Sequence, residues 1–404
     1  MSSGSFYEYY DQILDLIACR DWNESEKVAE LFSCDGPHVS NHNLYVLNLE
    51  DEYPDRKVED EVFDDLVALH LRVLYYLSKN EYHDAFNAQK ALLQYFHKEI
   101  LSEEKDANWF IPILFALCKD LRVIASMADK AREIIDEDEK SFYEEAANPI
   151  MECYRVCVAD GRNAFEISKK VAILNLTNQL FRIYYRINRL PLLKPLVRAI
   201  DVSKDSELYS LFSKADKVIY NYYVGRKAIF DNNLELAEES LSYAFKNCPQ
   251  NCSSNKKLIL LYLIPVKMFL GVVPTQQLLE TYDLSCFKQL VDAVKDGNLK
   301  LFETSLKSQE TFFIDSGIFL MLEKLKLTTF LNLIRTISNV LDTHQVRLDA
   351  IRAALTGLEY EMDNEEISCI LANVIMQKKI KGYISYNHQT VVLSKKDAFP
   401  NPRK

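Results

Sequence analysis

Residues 221–249 read NYYVGRKAIFDNNLELAEESLSYAFKNCP. Gly225 stands twelve residues before Ala237, sixteen before Leu241, nineteen before Ala244 and twenty-four before Pro249. Small residues at 225 and 237 let two facing helices touch, and Leu241 and Ala244 give the second helix a buried stripe. The polar run FDNN supplies the turn between them, and Pro249 ends the unit because proline cannot continue a helix. A phosphate-cradling loop at Gly225 would need a preceding strand and more glycines close by, and the sequence offers neither. Gly225 is therefore a packing glycine in a helical hairpin.

These offsets are those of a tetratricopeptide-type (TPR) unit. Such a hairpin cannot bury its apolar face alone, so neighbours of the same design are required. FDDLVALHLRVLYYLSKNEYHDAFNAQKALLQYF at 63–96 turns about SKNEYHD. NLTNQLFRIYYRINRLPLLKPLVRAI at 175–200 turns about INRLP, and LVDAVKDGNLKLFETSLKSQETFF at 290–313 about KDGN. Apolar residues recur at three- and four-residue spacing in each. Residues from about 5 to about 315 are expected to form a right-handed superhelical stack of helix pairs.

Composition agrees. Of 404 residues 48% are apolar, but only nine are glycine and eleven proline. Sheets, barrels and propellers consume more of both in turns. The first residues, MSSGSFYEYYDQ, lack the basic start and apolar run of a secretory signal. No uninterrupted apolar stretch reaches the ~18 residues of a membrane span. An intracellular, reduced setting is expected, with no membrane association and with the nine cysteines acting mainly as small core residues. Cys153/Cys157, Cys248/Cys252 and Cys34–His38–His42 have ligand-like spacings. None has the second matching pair of a zinc site, so no metal and no cofactor is expected. Catalysis is not expected either: no nucleophile-elbow, Walker, H-E-x-x-H or deaminase pattern occurs. The acidic runs DEDEK and NLEDEYPD read as solvated loops.

The C-terminal part changes character. KLTTFLNLIRTISNVL, LDAIRAALTGL and NEEISCILANVIMQKKI read as three helices, with Asn364 capping the third. KGYISYNH and QTVVLSK alternate and are β-branched, with YNHQ as the turn. Three helices followed by a hairpin is the order of a winged helix. The expected organisation is helical repeats over 1–200, a further TPR-like helical part over 201–315, a winged helix over 316–395 and a flexible tail over 396–404.

A helical stack ending in a winged helix resembles PCI domains, which occur in the proteasome lid, the COP9 signalosome, a translation initiation factor and mRNA-export machinery. YYVGRKAIFD, LIPVKMFLGVVPT, DAVKDGNL, GIFLMLEKLKL, CILANVI and KGYIS, in that order, resemble the PCI subunit of nuclear TREX-type mRNA export complexes, relatives of the yeast Thp subunit. The resemblance extends upstream through ANWFIPILFALCKDLRV, CYRVCVADGRNA and LVRAIDVSKD. It implies a non-enzymatic adaptor in the nucleus, associated with the nuclear pore, with the cytoplasm as a second location. The implied partners are a large Sac/GANP-type scaffold, a small acidic protein shared with the proteasome lid, and RNA or single-stranded nucleic acid held through the complex. The alternative is a purely architectural PCI subunit of a lid-, signalosome- or initiation-factor-like assembly, without nucleic-acid contact.

Charge bears on both readings. The chain carries a net charge of −11, yet 161–198 holds eight basic residues and one acid. Arg182, Arg186 and Arg189 share a helix face and, with Lys194, Arg198, Arg226 and Lys227, are the candidate partner-binding residues. Lys378, Lys379 and Lys381 cluster where the third helix meets the first strand of the hairpin, and His388 falls at the wing tip. With Lys395 and Lys396 they are the candidate nucleic-acid contacts. Such positions commonly face phosphates, which set register without reading sequence.

Overall fold

The computed structural model describes residues 6–41, 44–45, 61–104, 108–132, 141–162, 164, 167–204 and 206–400. His42, the runs DEDEK and NLEDEYPD and the tail from 401 onward lie outside them. The chain divides into two compact units, Met1–Tyr220 and Asn221–Lys404. It is a mostly α-helical repeat protein whose C-terminal region is a winged helix with a small β-sheet. Among the described residues no helix is long and apolar enough to cross a membrane.

The first unit is built from antiparallel helices that pack on their neighbours in sequence: Glu61–Ser78 on Tyr82–Phe96, that on Ile111–Ala131, and Phe142–Ala159 on Ile173–Arg186. Trp22–Leu31 packs on Ile111–Ala131. Its first turn is capped by Asp21, which accepts the Asn23 N–H at 2.9 Å. The hairpins turn where the sequence puts them. Asn80, Asn188 and Asn232 each adopt a left-handed backbone, with φ of 61°, 55° and 57°. Gly297 does so at 73°. Asparagine and glycine are the residues that tolerate this region at helix ends.

Cys118, Cys153 and Cys157 are fully buried, as small core residues. His38 and His70 are also buried and share a 2.9 Å Nε2–Nε2 contact, with Tyr9 stacked on His38. Burial pushes His38 down to about 4. Burial and then the neighbouring His38 hold His70 well below its ordinary value. Both are thus neutral in the fold, whereas the unfolded chain protonates them near ~6.5. Their contribution to stability is full above that value and lost as pH falls towards His38's lowered pKa. Asp120, raised to about 6 by burial, works in the opposite sense, losing its contribution as pH rises through 6. Urea midpoints of the first unit should therefore drop on acidification from pH 7 to 5. Each histidine supplies a slope of at most ~1.4 kcal/mol per pH unit, and Asp120 offsets one of the two. A chain with both histidines replaced by phenylalanine should lose this dependence or reverse it; an unchanged slope would assign the acid sensitivity elsewhere.

In the second unit Gly225 lies on helix Lys214–Phe230, against helix Leu234–Asn247. A Cβ at Gly225 would lie 2.6 Å from Leu241 Cγ and 3.3 Å from its backbone N. Ala237, Leu241 and Ala244 are fully buried, and Asn233 caps the second helix by accepting the Leu236 N–H at 3.1 Å. Gly225→Leu should cost roughly 1–3 kcal/mol through overpacking. Gly225→Ala should cost less, because alanine recovers up to ~1 kcal/mol of helix propensity. Adding Leu241→Ala to either should cost less than the two single effects summed, and strict additivity in thermal melts would deny the contact.

The winged helix holds helix Phe319–Val340, strand β1 (Gln345–Arg347), helices Leu348–Gly357 and Asn364–Met376, and strands β2 (Gly382–Ser385) and β3 (Thr390–Leu393). The antiparallel sheet has the order β1-β3-β2. β1 escapes a reading by alternation because three residues are too few to show a period. The third helix is capped by Asp363, not Asn364: Asp363 accepts the Glu366 N–H at 2.7 Å and Glu366 returns the bond in a capping box. Asn364 already lies inside the helix, and its amide donates to Asp349 at 3.1 Å. Ile334, Ile351, Leu355, Leu371, Val374 and Val391 form a fully buried core. Ala398 and Phe399 pack on it, and the Lys381 N–H donates to the Ala398 carbonyl at 2.8 Å.

Candidate interaction surfaces

The mid-chain arginines sit on helix Ile173–Arg186 and the turn after it, in the first unit. Arg186 stacks over Tyr143 at 4.9 Å from the ring centre, and Arg189 pairs with Glu144 at 3.7 Å. Arg182 is half-buried, with its Nε shielded from solvent. Two further basic residues of this region act inside the fold. Arg162 pairs with Asp160 at 3.0 Å, and Lys169 donates to the Leu101 carbonyl. Burial opposes the charge of Asp160, yet hydrogen bonds from Arg162, Ser168 and the Lys169 N–H outweigh it and hold the carboxyl well below its usual range. Lys194 and Arg198, on helix Leu193–Ser203, are exposed, as Arg186 and Arg189 are outside the contacts just named. Charge counting overstates the free basic surface here, because sequence does not show which arginines lie over a tyrosine or beside an acid.

Arg226 is half-buried in the second unit. Its guanidinium lies 4.6 Å from the Tyr262 ring centre and 5.5 Å from that of Tyr222. That is cation–π packing within the helix layer. Lys227 is ion-paired with Asp231 on the same helix.

On the winged helix, backbone pairing brings Lys381, Lys395 and Lys396 together. The Ser394 N–H donates to the Lys381 carbonyl at 2.7 Å, and the Ser394 hydroxyl to the Lys396 carbonyl at 2.7 Å. Asp397 neutralises Lys381 at 2.7 Å. Lys378 and Lys379 precede this cluster at the end of helix Asn364–Met376, and burial lowers the pKa of Lys379. His388 is exposed at the wing tip, separated from the lysines by the length of β2, about 13 Å for four residues. The candidate set is thus one basic cluster plus one remote histidine.

The sequence reading missed the exposed aromatics of the hairpin. Tyr383 is 62% and Tyr386 71% exposed, and Met376 at the end of the preceding helix is 73% exposed. Position 383 follows the strand alternation, and reading which face it occupies needs β1, the unrecognised third strand. Among the described residues no group of three or more His, Cys, Asp or Glu side chains is placed to hold a metal ion.

A PCI-domain model matches residues 287–395, the last helix pair and the winged helix. The "PCI domain-containing protein 2 homolog" of Caenorhabditis elegans is 47% identical over 99% of this chain and 98% of its own length. The chain belongs to the family of PCI domain-containing protein 2. "Enhanced ethylene response protein 5" of Arabidopsis thaliana is 33% identical over 73% of this chain and 71% of its own, and "Protein CSN12 homolog" of Schizosaccharomyces pombe 32% over 83% and 82%. As a member of this family the chain is a non-enzymatic PCI-domain scaffold subunit.

These relatives correct the finer resemblance. They identify a PCI domain-containing protein 2 relative and not specifically a TREX-type or Thp export subunit. The mRNA-export and nuclear-pore terms fall with that assignment. So do the Sac/GANP-type scaffold, the small acidic lid-shared protein and the RNA partner. The physical reason is that the quoted sequence blocks lie on packed helices and on the winged helix, where the fold sets the residues. Such blocks carry the fold more strongly than the complex.

Proposed function

We propose that the chain is an architectural subunit of a multiprotein assembly of the lid, signalosome or initiation-factor kind, joined to other PCI subunits through its winged helix. The CSN-type name of a relative similar over more than four-fifths of the chain supports this reading. The observation that carries it is the edge of the sheet. β2 is an outer strand in the order β1-β3-β2, and it bears Tyr383 and leads into Tyr386, both largely exposed. An unpaired strand edge with exposed aromatics is suited to pairing with another chain. In this reading Lys381, Lys395, Lys396 and His388 provide the polar rim of the contact, and Lys194 and Arg198 a separate charged surface on the first unit.

Tyr383→Asp with Tyr386→Asp should leave the melting temperature nearly unchanged, since exposed substitutions typically cost within ~0.5 kcal/mol. Tagged full-length protein carrying both changes should recover at least about tenfold less of its PCI partners than the wild type, a loss of ~1.4 kcal/mol. Equal recovery would remove the wing from the interface.

A further inference from the structure

Within the second unit, a groove of about 870 Å³ runs between the turn at Asn232–Leu234 and the base of the winged helix. Four cations line it: Lys295, Arg335, Lys378 and Lys379. Glu235 is the one carboxylate among its described lining residues. Elsewhere in this unit lysines sit on acids, as Lys227 does on Asp231, Lys257 on Asp283, Lys267 on Glu238 and Lys326 on Glu303. Among the described residues the groove lysines have no such ion pair, and the hydrogen-bond partner of Arg335 is the neutral Asn332, at 3.1 Å. Like charges converging on one cleft repel each other and focus a positive potential in it.

The backbone fixes where two of these side chains start. Lys378 is held at φ 59°, where glycine would sit without strain. This is the left-handed position that closes helix Asn364–Met376, with the Lys378 N–H donating to the Ile375 carbonyl and the Lys379 N–H to the Val374 carbonyl, both at 2.9 Å, so the backbone of both lysines is fixed at the rim of the cleft. Burial lowers the pKa of Lys379, as it would for an ammonium that is partly desolvated without a counter-charge. The other wall is apolar. Phe269, Leu331 and Phe399 line the same groove, and Arg335 lies 5.0 Å from the Phe399 ring centre. A volume of this size, with a few convergent polar groups on an apolar bed, is typical of a small-molecule site.

We infer that this groove binds a small organic phosphate, with a phosphomonoester dianion on Lys295, Arg335, Lys378 and Lys379 and a ring-bearing body on Phe269, Leu331 and Phe399. Phosphate suits the set because lysine and arginine both form charge-assisted bonds to its oxygens, and arginine can do so bidentately. The inference goes beyond the architectural role and stands without it.

Isothermal titration calorimetry on the full chain tests it, with inorganic phosphate, phenyl phosphate and adenosine monophosphate as probes. Both ring-bearing phosphates should bind about tenfold or more tightly than inorganic phosphate. Lys378→Gln with Lys379→Gln should weaken all three about tenfold or more. Phe399→Ala should weaken only the ring-bearing two. Lys326→Gln, outside the groove, should change nothing. Circular dichroism checks that each variant is folded, and capture of PCI partners by the Lys378/Lys379 variant, expected to be normal, separates this site from the wing interface. Absence of heat at millimolar probe, or affinities untouched by the lysine changes, would overturn the inference. So would a single-stranded RNA with hydroxyl ends that binds the groove lysines without competition from phenyl phosphate, since that is a strand-tracking surface and not a phosphomonoester site.

Discussion

Gly297→Ala lowers the unfolding free energy of the second unit by about 2–5 kcal/mol, the sum of a left-handed-backbone cost and an overpacking cost. Gly297 has φ 73° between helices Lys288–Asp296 and Leu299–Ser308. An added Cβ would lie 2.5 Å from the backbone N of Leu333 and 2.6 Å from its Cα. Those atoms belong to helix Phe319–Val340 and cannot rotate aside as a side chain tip would. The tight turn thus fastens the last helix pair to the first helix of the winged helix, where Leu299 joins the same core as Leu333. Gly297→Asn separates the two causes: asparagine tolerates the dihedral but not the space, so it should recover only part of the loss. Urea denaturation of the full chain measures both. An asparagine variant as stable as the wild type would mean that the close approach to Leu333 is not made in solution.

The second large effect is at Leu371, fully buried in the winged-helix core with Ile334, Ile351 and Val391. Leu371→Ala should cost about 2–5 kcal/mol, because it removes buried methyl groups and leaves a cavity. Leu371→Met, close in volume, should stay under ~1.5 kcal/mol. Met376→Ala, five residues on and 73% exposed, should stay within ~0.5 kcal/mol. Hydrogen exchange of β3 amides reads the result locally. Protection lost in Leu371→Ala and kept in Met376→Ala is expected, and equal protection in both would place the core elsewhere.

The fold was legible because its decisive residues sit at fixed offsets. Gly225, Ala237, Leu241 and Ala244 meet as their spacing requires, and the turns at Asn80, Asn188, Asn232 and Gly297 fall in the polar runs quoted above. Helix pairs depend on local periodicity, which sequence carries directly. β1 was not legible, since Gln345–Arg347 pairs with Val392, Val391 and Thr390 some forty residues later, and three residues show no period. The cap on the third winged-helix helix was missed by one position because Asp363 and Asn364 are both good capping residues. Only the backbone shows which of the two stands outside the helix. The interaction surfaces were legible least. Arginine spacing suggests one helix face for Arg182, Arg186 and Arg189, but the helix ends at Arg186 and Arg189 lies in the turn beyond it, and Tyr143 and Glu144, which engage Arg186 and Arg189, arrive from another helix. Lys295 and Arg335 meet Lys378 and Lys379 only through tertiary packing. The assembly itself was read too finely, since the sequence blocks identify PCI architecture and not the complex it enters.

The central claim is that the winged helix joins this chain to other PCI subunits. Lysine cross-linking with mass spectrometry on the complex purified through the tagged full-length chain tests it most directly. The account predicts cross-links from Lys381, Lys395 and Lys396, beside β2, to the winged helix of a second PCI-domain protein, retained at high salt and after nuclease treatment. Cross-links from these lysines confined to the chain itself, or a complex that dissolves when nucleic acid is digested, would contradict it.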